Sequence, residues 1–223
     1  MHERSSEGNK LKQRVFIVDD HAIVRDGLAQ LINREKDLAV CGGAGNIPDA
    51  QQAVAECRPD AVIVDLTLED GNGIRLIEHL ACSFKDIAIL VFSMHDESVY
   101  AERCLKAGAR GYIMKQESPG EIISALRKVL SGKIYLSGSL SEKYLDRLVS
   151  RKGGVPVSSV ELLSNRELEI YQLIGQGMKK REISEKLNLS VKTVENYMEH
   201  IKKKMDLRDL HEIVLHAVQN RMF

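Results

Sequence analysis

Several features of membrane and secreted proteins are missing from this 223-residue sequence. No apolar run approaches the roughly 20 residues that span a bilayer, which argues against a transmembrane helix and a membrane partner. The first 14 residues are polar and of mixed charge, so they lack the apolar core of a signal peptide. The four cysteines, Cys41, Cys57, Cys82 and Cys104, form no Cys-x-x-Cys pair, which favours reduced, buried thiols in a cytoplasmic protein.

The chain has no net charge, but its charges are unevenly distributed. Residues 1–140 contain 17 Lys and Arg against 20 Asp and Glu, whereas residues 141–223 contain 15 against 12. Within residues 179–204 there are 8 basic and 4 acidic side chains. This asymmetry predicts different partners for the two halves, with a polyanion for the second half.

Short β-branched runs alternate with helical patterns from residue 15 to residue 131, which predicts five βα units. Such units build a parallel sheet that is covered by helices on both faces. The strands are predicted at 15–18, 38–41, 61–65, 87–92 and 111–114. The apolar face of the first helix is predicted to contain Ile23, Leu28, Leu31 and Ile32. A capping box that begins at Ser118 starts the last helix.

Reactive side chains stand at the carboxyl ends of four of these runs. They are Asp19 and Asp20, Asp65, Ser93 and Lys115. Because the carboxyl ends of parallel strands meet at one edge of a sheet, we expect these groups to lie together. A carboxylate cluster suits Mg²⁺, and a carboxylate nucleophile beside a metal, an ammonium and a hydroxyl suits phosphoryl transfer.

Two other chemistries are disfavoured. Phosphatases with an aspartate nucleophile need a second acid two positions further on, where this chain has Thr67. A dinucleotide-binding loop at Gly43-Ala44-Gly45 would need a third glycine where Pro48 stands. The glycine cluster therefore predicts an ordinary loop.

Residues 15–131 resemble the receiver domain of two-component response regulators, and the stretches 93–95 and 107–112 resemble its NarL/FixJ branch. The resemblance implies a flavodoxin-like (βα)5 fold with strand order 2-1-3-4-5. It implies that Asp65 accepts a phosphoryl group and that Lys115 is the invariant amine of the pattern. The implied switch residues are Ser93 and Tyr112.

By the same resemblance, Mg²⁺ is held by the carboxylates of Asp19, Asp20 and Asp65 and by the carbonyl of Thr67. One position departs from the family, which usually has Pro four residues after the acceptor, where this chain has Glu69. A carboxylate there is expected to weaken Mg²⁺ binding or kinase docking, or to alter dephosphorylation.

A change in composition separates this part from the next. Residues 133–159 are predicted to be a linker with a short helix around Leu140, Tyr144, Leu145 and Leu148, and Gly153–Pro156 breaks structure after it. The predicted organisation is a disordered tail at 1–13, a receiver domain at 14–132, this linker, and a DNA-binding domain at 160–223.

Four helical patterns follow the linker. The first begins at the capping box Ser164–Glu167 and ends at Gly175 or Gly177, and the second covers 180–187. The third is capped by Ser190, and its predicted apolar face contains Val191, Val194, Met198, Ile201 and Met205. The fourth carries Ile213, Val214 and Ala217. Two short helices around a tight turn, the second amphipathic and basic, predict a helix-turn-helix domain that is all-α and small.

Residues 163–167, 177–183 and 189–197 resemble the LuxR/GerE-type DNA-binding domain. The resemblance implies that the third helix presents Glu195, Asn196 and Glu199 to the major groove. It implies phosphate contacts from Lys179, Lys192, Thr193 and Lys203, to which Lys180 adds charge. Asn pairs with adenine and Glu with cytosine, and the glutamates are expected to weaken nonspecific binding by repelling phosphates.

The two resemblances together predict a transcription regulator whose Asp65 is phosphorylated by a sensor histidine kinase and which binds promoter DNA as a homodimer. It is expected to transfer a phosphoryl group to its own Asp65 with the help of Mg²⁺, and not to turn over a substrate. Three alternatives remain: a receiver-type regulator switched by a partner or ligand, a stand-alone phosphotransfer or phosphatase enzyme, and an architectural DNA-binding protein. The residue at Thr67 argues against the second, and the acidic site argues against the third.

Overall fold

The structure, a computed structural model, describes residues 12–68, 71–138, 140–142 and 159–219. Several predictions fall outside the described residues. They concern nearly all of the predicted tail, Glu69, and Tyr144, Leu145 and Leu148 of the predicted linker helix. Contacts divide the chain into two units, the first formed by residues up to 136 except 95–102, and the second by 95–102 and the residues from 137 onward. The domain bounds given above stay a prediction.

The first unit contains one parallel sheet of five strands. They are β1 (Gln13–Val18), β2 (Leu38–Ala44), β3 (Ala61–Val64), β6 (Ala88–Ser93) and β7 (Gly111–Met114). Their order is β2-β1-β3-β6-β7. The two-residue strands β4 (Thr67–Leu68) and β5 (Gly71–Asn72) form a separate antiparallel ribbon that was not predicted. Without this ribbon the order is 2-1-3-4-5, which confirms the flavodoxin-like fold.

Five helices alternate with these strands, as the sequence predicts. They are α1 (Ala22–Asn33), α2 (Ile47–Cys57), α3 (Gly73–Ser83), α4 (Glu97–Ala107) and α5 (Pro119–Leu130). All four residues of β3 are buried, as expected for a central strand that is covered on both faces. One face of the sheet packs against α1 and α5 through a cluster that includes Ile17, Ile63, Phe92 and Leu126.

The described residues from 159 onward form four α-helices, which confirms the predicted all-α domain. A 3-10 helix (Ser159–Leu162) precedes α6 (Asn165–Gly175), α7 (Lys180–Lys186), α8 (Val191–Met205) and α9 (Leu210–Gln219). Gly177, just after α6, has a φ of +82°, which places it in the left-handed conformation that glycine adopts most easily. Four of the five residues predicted for the apolar face of α8 are buried: Val194, Met198, Ile201 and Met205.

Burial was predicted wrongly for two helix residues and for most of the cysteines. Ile23 is 85% exposed and Val191 is 42% exposed. Both lie in the first turn of a helix, where a side chain that leans toward the N-terminus extends past the end of the packed helix face. Among the cysteines, Cys104 is buried but Cys82 is exposed and the other two are half-buried.

No helix in the described ranges is both long enough and apolar enough to cross a membrane.

Candidate functional site

The acidic residues predicted from the strand ends lie together in the structure. Asp19 and Asp20 follow β1, and Asp65 follows β3, which is the neighbour of β1 in the sheet. The backbone N–H of Asp65 donates to the carbonyl of Val18 at 2.8 Å, so that the pairing of the two strands continues to the site itself. Asp19 and Asp65 are buried. The fold therefore brings two sequence-distant carboxylates to one edge of the sheet.

Lys115, which follows β7, provides the positive charge at this edge. Its Nζ donates to Oδ2 of Asp19 at 2.6 Å and to Oδ2 of Asp65 at 2.7 Å. Its backbone N–H donates to the carbonyl of Ser93 at 2.8 Å. The lysine thus joins both carboxylates, as expected for a pocket that must hold several like charges.

These charges shift the pKa values of the buried groups. Burial raises the pKa of Asp65 above its ordinary value of 3.8, against the opposing effect of the Lys115 ammonium. Burial also disfavours the charged form of Lys115, but its hydrogen bonds to Asp19 and Asp65 outweigh burial and raise its pKa. The ammonium is therefore held in its charged form.

Two residues that the sequence analysis missed contact Asp19 and Asp20. His21 has its Nδ1 at 2.6 Å from Oδ1 of Asp20, and its backbone N–H donates to Oδ1 of Asp19 at 2.9 Å. Arg25, in the first turns of α1, donates from a guanidinium nitrogen to the carbonyl of Asp19 at 2.6 Å. The sequence signal was the position of both residues just after Asp19 and Asp20, on the turn and helix that follow β1.

Gly73 explains how α3 starts so close to the site. Its N–H donates to the carbonyl of Leu66 at 2.9 Å. A Cβ at this position would lie 2.2 Å from the carbonyl oxygen of Asp65, which no real side chain tolerates. The absence of a side chain at Gly73 therefore lets the first residue of α3 pack directly against the backbone that follows β3.

The acidic cluster fits a hard divalent cation. Ligand atoms of Asp19, Asp20, His21 and Asp65 all lie within 4.8 Å of one another. Oδ1 of Asp20 is buried and accepts no hydrogen bond from the described residues, although the His21 ring lies beside it. Carboxylate oxygens are the ligands that Mg²⁺ prefers. Thr67 lies next to the cluster, and its N–H approaches Oδ1 of Asp65 at 3.3 Å.

The two predicted switch residues are inside the first unit. Ser93 is the last residue of β6, and Tyr112 is the second residue of β7. Neither side chain is accessible to solvent. The backbone N–H of Tyr112 donates to the carbonyl of Tyr135 at 3.1 Å, just beyond α5.

In the second unit, α8 exposes the polar face that the sequence predicts. Asn196, Glu199, Lys192 and Lys203 are exposed. The two glutamates form ion pairs: Glu195 lies 3.1 Å from Lys180 of α7 and 3.7 Å from Lys192, and Glu199 lies 2.6 Å from Lys202. Each glutamate thus faces a lysine.

The remaining predicted DNA contacts lie at the N-termini of α7 and α8. Lys179 is the N-cap residue of α7, and its backbone N–H donates to Glu182 at 2.7 Å. The Thr193 hydroxyl lies 2.7 Å from the Ser190 hydroxyl, and Ser190 accepts from the Thr193 N–H at 3.0 Å. Thr193 therefore takes part in the cap of α8.

A buried carboxylate connects α6 to α8. Glu167 accepts from the N–H of Ser164 at 2.7 Å and from the Lys204 ammonium at 2.6 Å, and the predicted capping box is complete. Burial of Glu167 favours its neutral form, but the hydrogen bonds from Lys204 and Ser164 outweigh burial and lower its pKa below 4.5. This contact fixes the end of α8 against the start of α6.

Comparison with known families accounts for most of the chain. Residues 15–127 match the family model described as the response regulator receiver domain. Residues 161–217 match the model described as bacterial regulatory proteins of the luxR family. The two matched ranges follow each other in the order that the sequence analysis predicted.

Individual relatives extend over both ranges. The oxygen regulatory protein NreC of Staphylococcus epidermidis is 36% identical over 214 residues, which cover 94% of this chain and 98% of that protein. A two-component response regulator of the LuxR family from Aurantimonas sp. SI85-9A1 is 34% identical, with a TM-score of 0.58, over 62% of this chain and 99% of that one. The RcsB response regulator of Salmonella typhimurium shares the fold, with a TM-score of 0.72 and 22% identity, over 93% of this chain and 98% of that one.

The acidic cluster makes a prediction about divalent cations. Mg²⁺ added to the metal-free protein is expected to raise its unfolding temperature, with a stabilisation of about 2.7 kcal/mol at roughly 100 times the dissociation constant. Asp20→Asn should lose most of this effect, because it removes a carboxylate whose buried oxygen has no hydrogen bond within the described part of the chain. Differential scanning calorimetry with and without Mg²⁺ measures both values. Asp26→Asn, on the exposed side of α1, is the control and should keep the wild-type response; an equal response in Asp20→Asn would contradict the site.

Glu167 makes a prediction about pH. Because its folded-state pKa is lowered, its ionisation stabilises the second unit above about pH 4.5 and this stabilisation is lost as the pH falls toward the folded-state pKa. Glu167→Gln should lower the free energy of opening of α6 and α8 by about 1–3 kcal/mol at pH 7 and flatten its acid dependence. Amide hydrogen exchange in the full chain measures this energy. The control is Glu185→Gln, whose partner Arg181 is fully solvated, and it should change little.

Proposed function

This chain belongs to the two-component response regulators of the NarL/FixJ type, and we propose that Asp65 is the residue at which it accepts a phosphoryl group. A receiver domain followed by a LuxR-type DNA-binding domain regulates transcription in response to phosphorylation. This finding supports the principal prediction over a regulator that is switched by a partner or ligand alone. The observation that carries the assignment of Asp65 is its buried position, where the Lys115 ammonium links its carboxylate to that of Asp19.

The chemistry assigned to Asp65 is nucleophilic. One carboxylate oxygen attacks the phosphorus of a phosphodonor in line with the leaving group, so that the bond to the donor breaks as the acyl phosphate forms. Lys115 is already within 2.7 Å of Asp65, where its charge can compensate the oxygens of the incoming phosphoryl group. Each transfer leaves one phosphoryl group on the protein's own Asp65. We therefore assign it the role of an acceptor and not that of a turnover enzyme.

Asp19, Asp20 and Asp65 would hold Mg²⁺, together with the carbonyl of Thr67. When bound, the cation supplies charge neutralisation for the phosphoryl oxygens. Lys115 and the backbone around the site keep the carboxylates in place, and Arg25 holds the Asp19 carbonyl from α1.

The switch proposed for this chain passes through β6 and β7. Ser93 would donate its hydroxyl to the phosphoryl group, and Tyr112 would move with it, which changes the surface near the fourth and fifth βα units. The backbone hydrogen bond between Lys115 and Ser93 couples the two strand ends. A movement of Ser93 toward the phosphoryl group would therefore also act on the backbone of Lys115.

For the second unit, we propose that α8 enters the major groove of promoter DNA. Asn196 and Glu199 would read base edges with Glu195, and Lys179, Lys180, Lys192, Thr193 and Lys203 would contact or neutralise phosphates. Lys180 and Lys192 must exchange their ion pairs with Glu195 for phosphates when they do so. One recognition helix reads few base pairs, so we propose a phosphorylated homodimer on two half-sites.

A sensor histidine kinase is the donor that this site implies. The proposed place of action is the cytoplasm, because promoter DNA is there. The assignment of the kinase rests on the family and on the acidic pocket.

The test of the acceptor is intact mass after incubation with Mg²⁺ and a small acyl phosphate. One phosphoryl adduct that hydroxylamine removes is expected in the wild type and in the control Asp86→Asn, which changes an exposed carboxylate. Asp65→Asn should show no adduct, because the nucleophile is missing. A folded wild type without an adduct, or an adduct that persists in Asp65→Asn, would refute the assignment.

A second measurement tests the DNA contacts. Asn196→Ala should cost about 1–3 kcal/mol on the specific site and little on random DNA, because it removes a base contact. Lys203→Ala should weaken both and reduce the salt dependence by about one ion. Binding isotherms at several salt concentrations measure these effects with the phosphorylated protein. Arg208→Ala removes an equally charged but 88% exposed side chain that pairs with Glu212 outside the proposed interface; an identical loss there would argue against these contacts.

A further inference from the structure

A β-bulge brings one cysteine out of the regular pairing of the sheet. Val15 pairs with Val40, but the next residue, Phe16, pairs with Gly42, so that Cys41 is the extra residue of β2. Bulges in parallel pairs are uncommon, and they redirect the side chain of the extra residue. β2 is an edge strand, which has a neighbour in the sheet on one side only.

A second cysteine meets the bulge from the end of the following helix. Cys57 is the last residue of α2, and its thiol donates to the carbonyl of Cys41 at 3.6 Å. Burial, together with the adjacent Cys57 thiol, raises the pKa of Cys41 to about 12. The Cys57 thiol therefore lies against the backbone of the bulge and is a close neighbour of the Cys41 thiol.

A guanidinium group lies beside this pair. Arg14 of β1 donates to the sulfur of Cys57 at 3.4 Å. A positive charge next to a sulfur is the setting in which thiolates react. Both cysteines are half-buried, so that a small oxidant can reach them. Neither residue takes part in the acidic pocket or in the DNA-binding surface.

We propose that Cys41 and Cys57 form a site of reversible oxidation, at which a hydroperoxide closes a disulfide between the edge strand β2 and the end of α2. Cys57 is the attacking residue because Arg14 lies at its sulfur, and Cys41 is the resolving residue. The bond would close a loop whose ends are 16 positions apart in the sequence.

The reaction is balanced in two steps. The Cys57 thiolate attacks one oxygen of the hydroperoxide, the O–O bond breaks, and the other oxygen leaves as an alcohol or, from hydrogen peroxide, as water after taking a proton. The sulfur of Cys41 then attacks the sulfenic sulfur of Cys57, and the sulfenic oxygen leaves as water with the thiol proton. The two thiols lose two electrons in total, and the hydroperoxide gains them.

Peptide mapping of the full chain tests this site directly. The reduced protein is treated with one equivalent of hydrogen peroxide, denatured in acid, alkylated and digested with trypsin. Both cysteines fall in the single peptide 37–75, because Pro59 follows Arg58 and blocks cleavage there. We expect this peptide to lose two hydrogens and to remain unalkylated, and dithiothreitol should restore both thiols.

The other cysteines are internal controls. Cys82 and Cys104 lie in the separate peptides 76–85 and 104–106 and should still be alkylated. Cys41→Ser should leave Cys57 as a sulfenic acid that dimedone labels, whereas Cys57→Ser should leave Cys41 unlabelled. Arg14→Gln should slow the loss of thiols without changing which residues pair.

Three results would overturn the proposal. The first is a wild-type peptide 37–75 with both cysteines alkylated. The second is a disulfide that joins two chains through Cys82 in place of the Cys41–Cys57 bond. The third is the same yield of the Cys41–Cys57 bond when the oxidation is done in denaturant, because the pairing would then not depend on the bulge and the helix end.

Discussion

The acidic pocket depends on the ion pairs that the Lys115 ammonium forms with Asp19 and Asp65. Two buried carboxylates would repel each other strongly in an interior of low polarity, and each would lose its hydration. Lys115 lies within 2.7 Å of both Asp19 and Asp65, although it is 96 and 50 residues away from them in the sequence. Lys115 follows the edge strand β7, and its long side chain reaches past β6 to the ends of β3 and β1, which carry the acids. The parallel sheet makes this possible, because it brings the carboxyl ends of β1, β3 and β7 to one edge.

The second unit uses the same physical arrangement for a structural purpose. Glu167 is buried, and Lys204 and the N–H of Ser164 compensate its charge. This contact connects the first helix of the domain to the end of the helix that is proposed to read DNA. The exposed pairs of Glu195 and Glu199 are different, because solvent screens them and they contribute little to stability. They instead determine how much positive charge α8 presents.

Local signals in the sequence were accurate for most features of the structure that depend on neighbouring residues. The strands were predicted within about three residues, and the Ser164 capping box is present with both of its hydrogen bonds. At the other proposed capping box, Ser118 accepts from the N–H of Glu121, but the Glu121 carboxylate accepts from the Tyr135 hydroxyl. Burial was predicted less well: Ile23 and Val191 fit a helical stripe, yet they lie beyond the partners that cover the rest of it. Periodicity identifies the face of a helix, but not where its neighbours end.

By itself, the sequence determined the fold class, the order of the two domains and the identity of the acidic residues, because alternating strand and helix patterns and strand-end residues are local properties. Only the tertiary structure decided which groups touch. It placed Lys115 between two carboxylates and brought His21 and Arg25 to Asp19 and Asp20. It also left an oxygen of Asp20 without a hydrogen bond from any residue that the structure describes. It also set the bulge at Cys41 and placed the Cys57 thiol against the Cys41 carbonyl. These contacts depend on the register between strands and on distances across the sheet, which follow from packing of the whole unit and not from any single stretch of sequence.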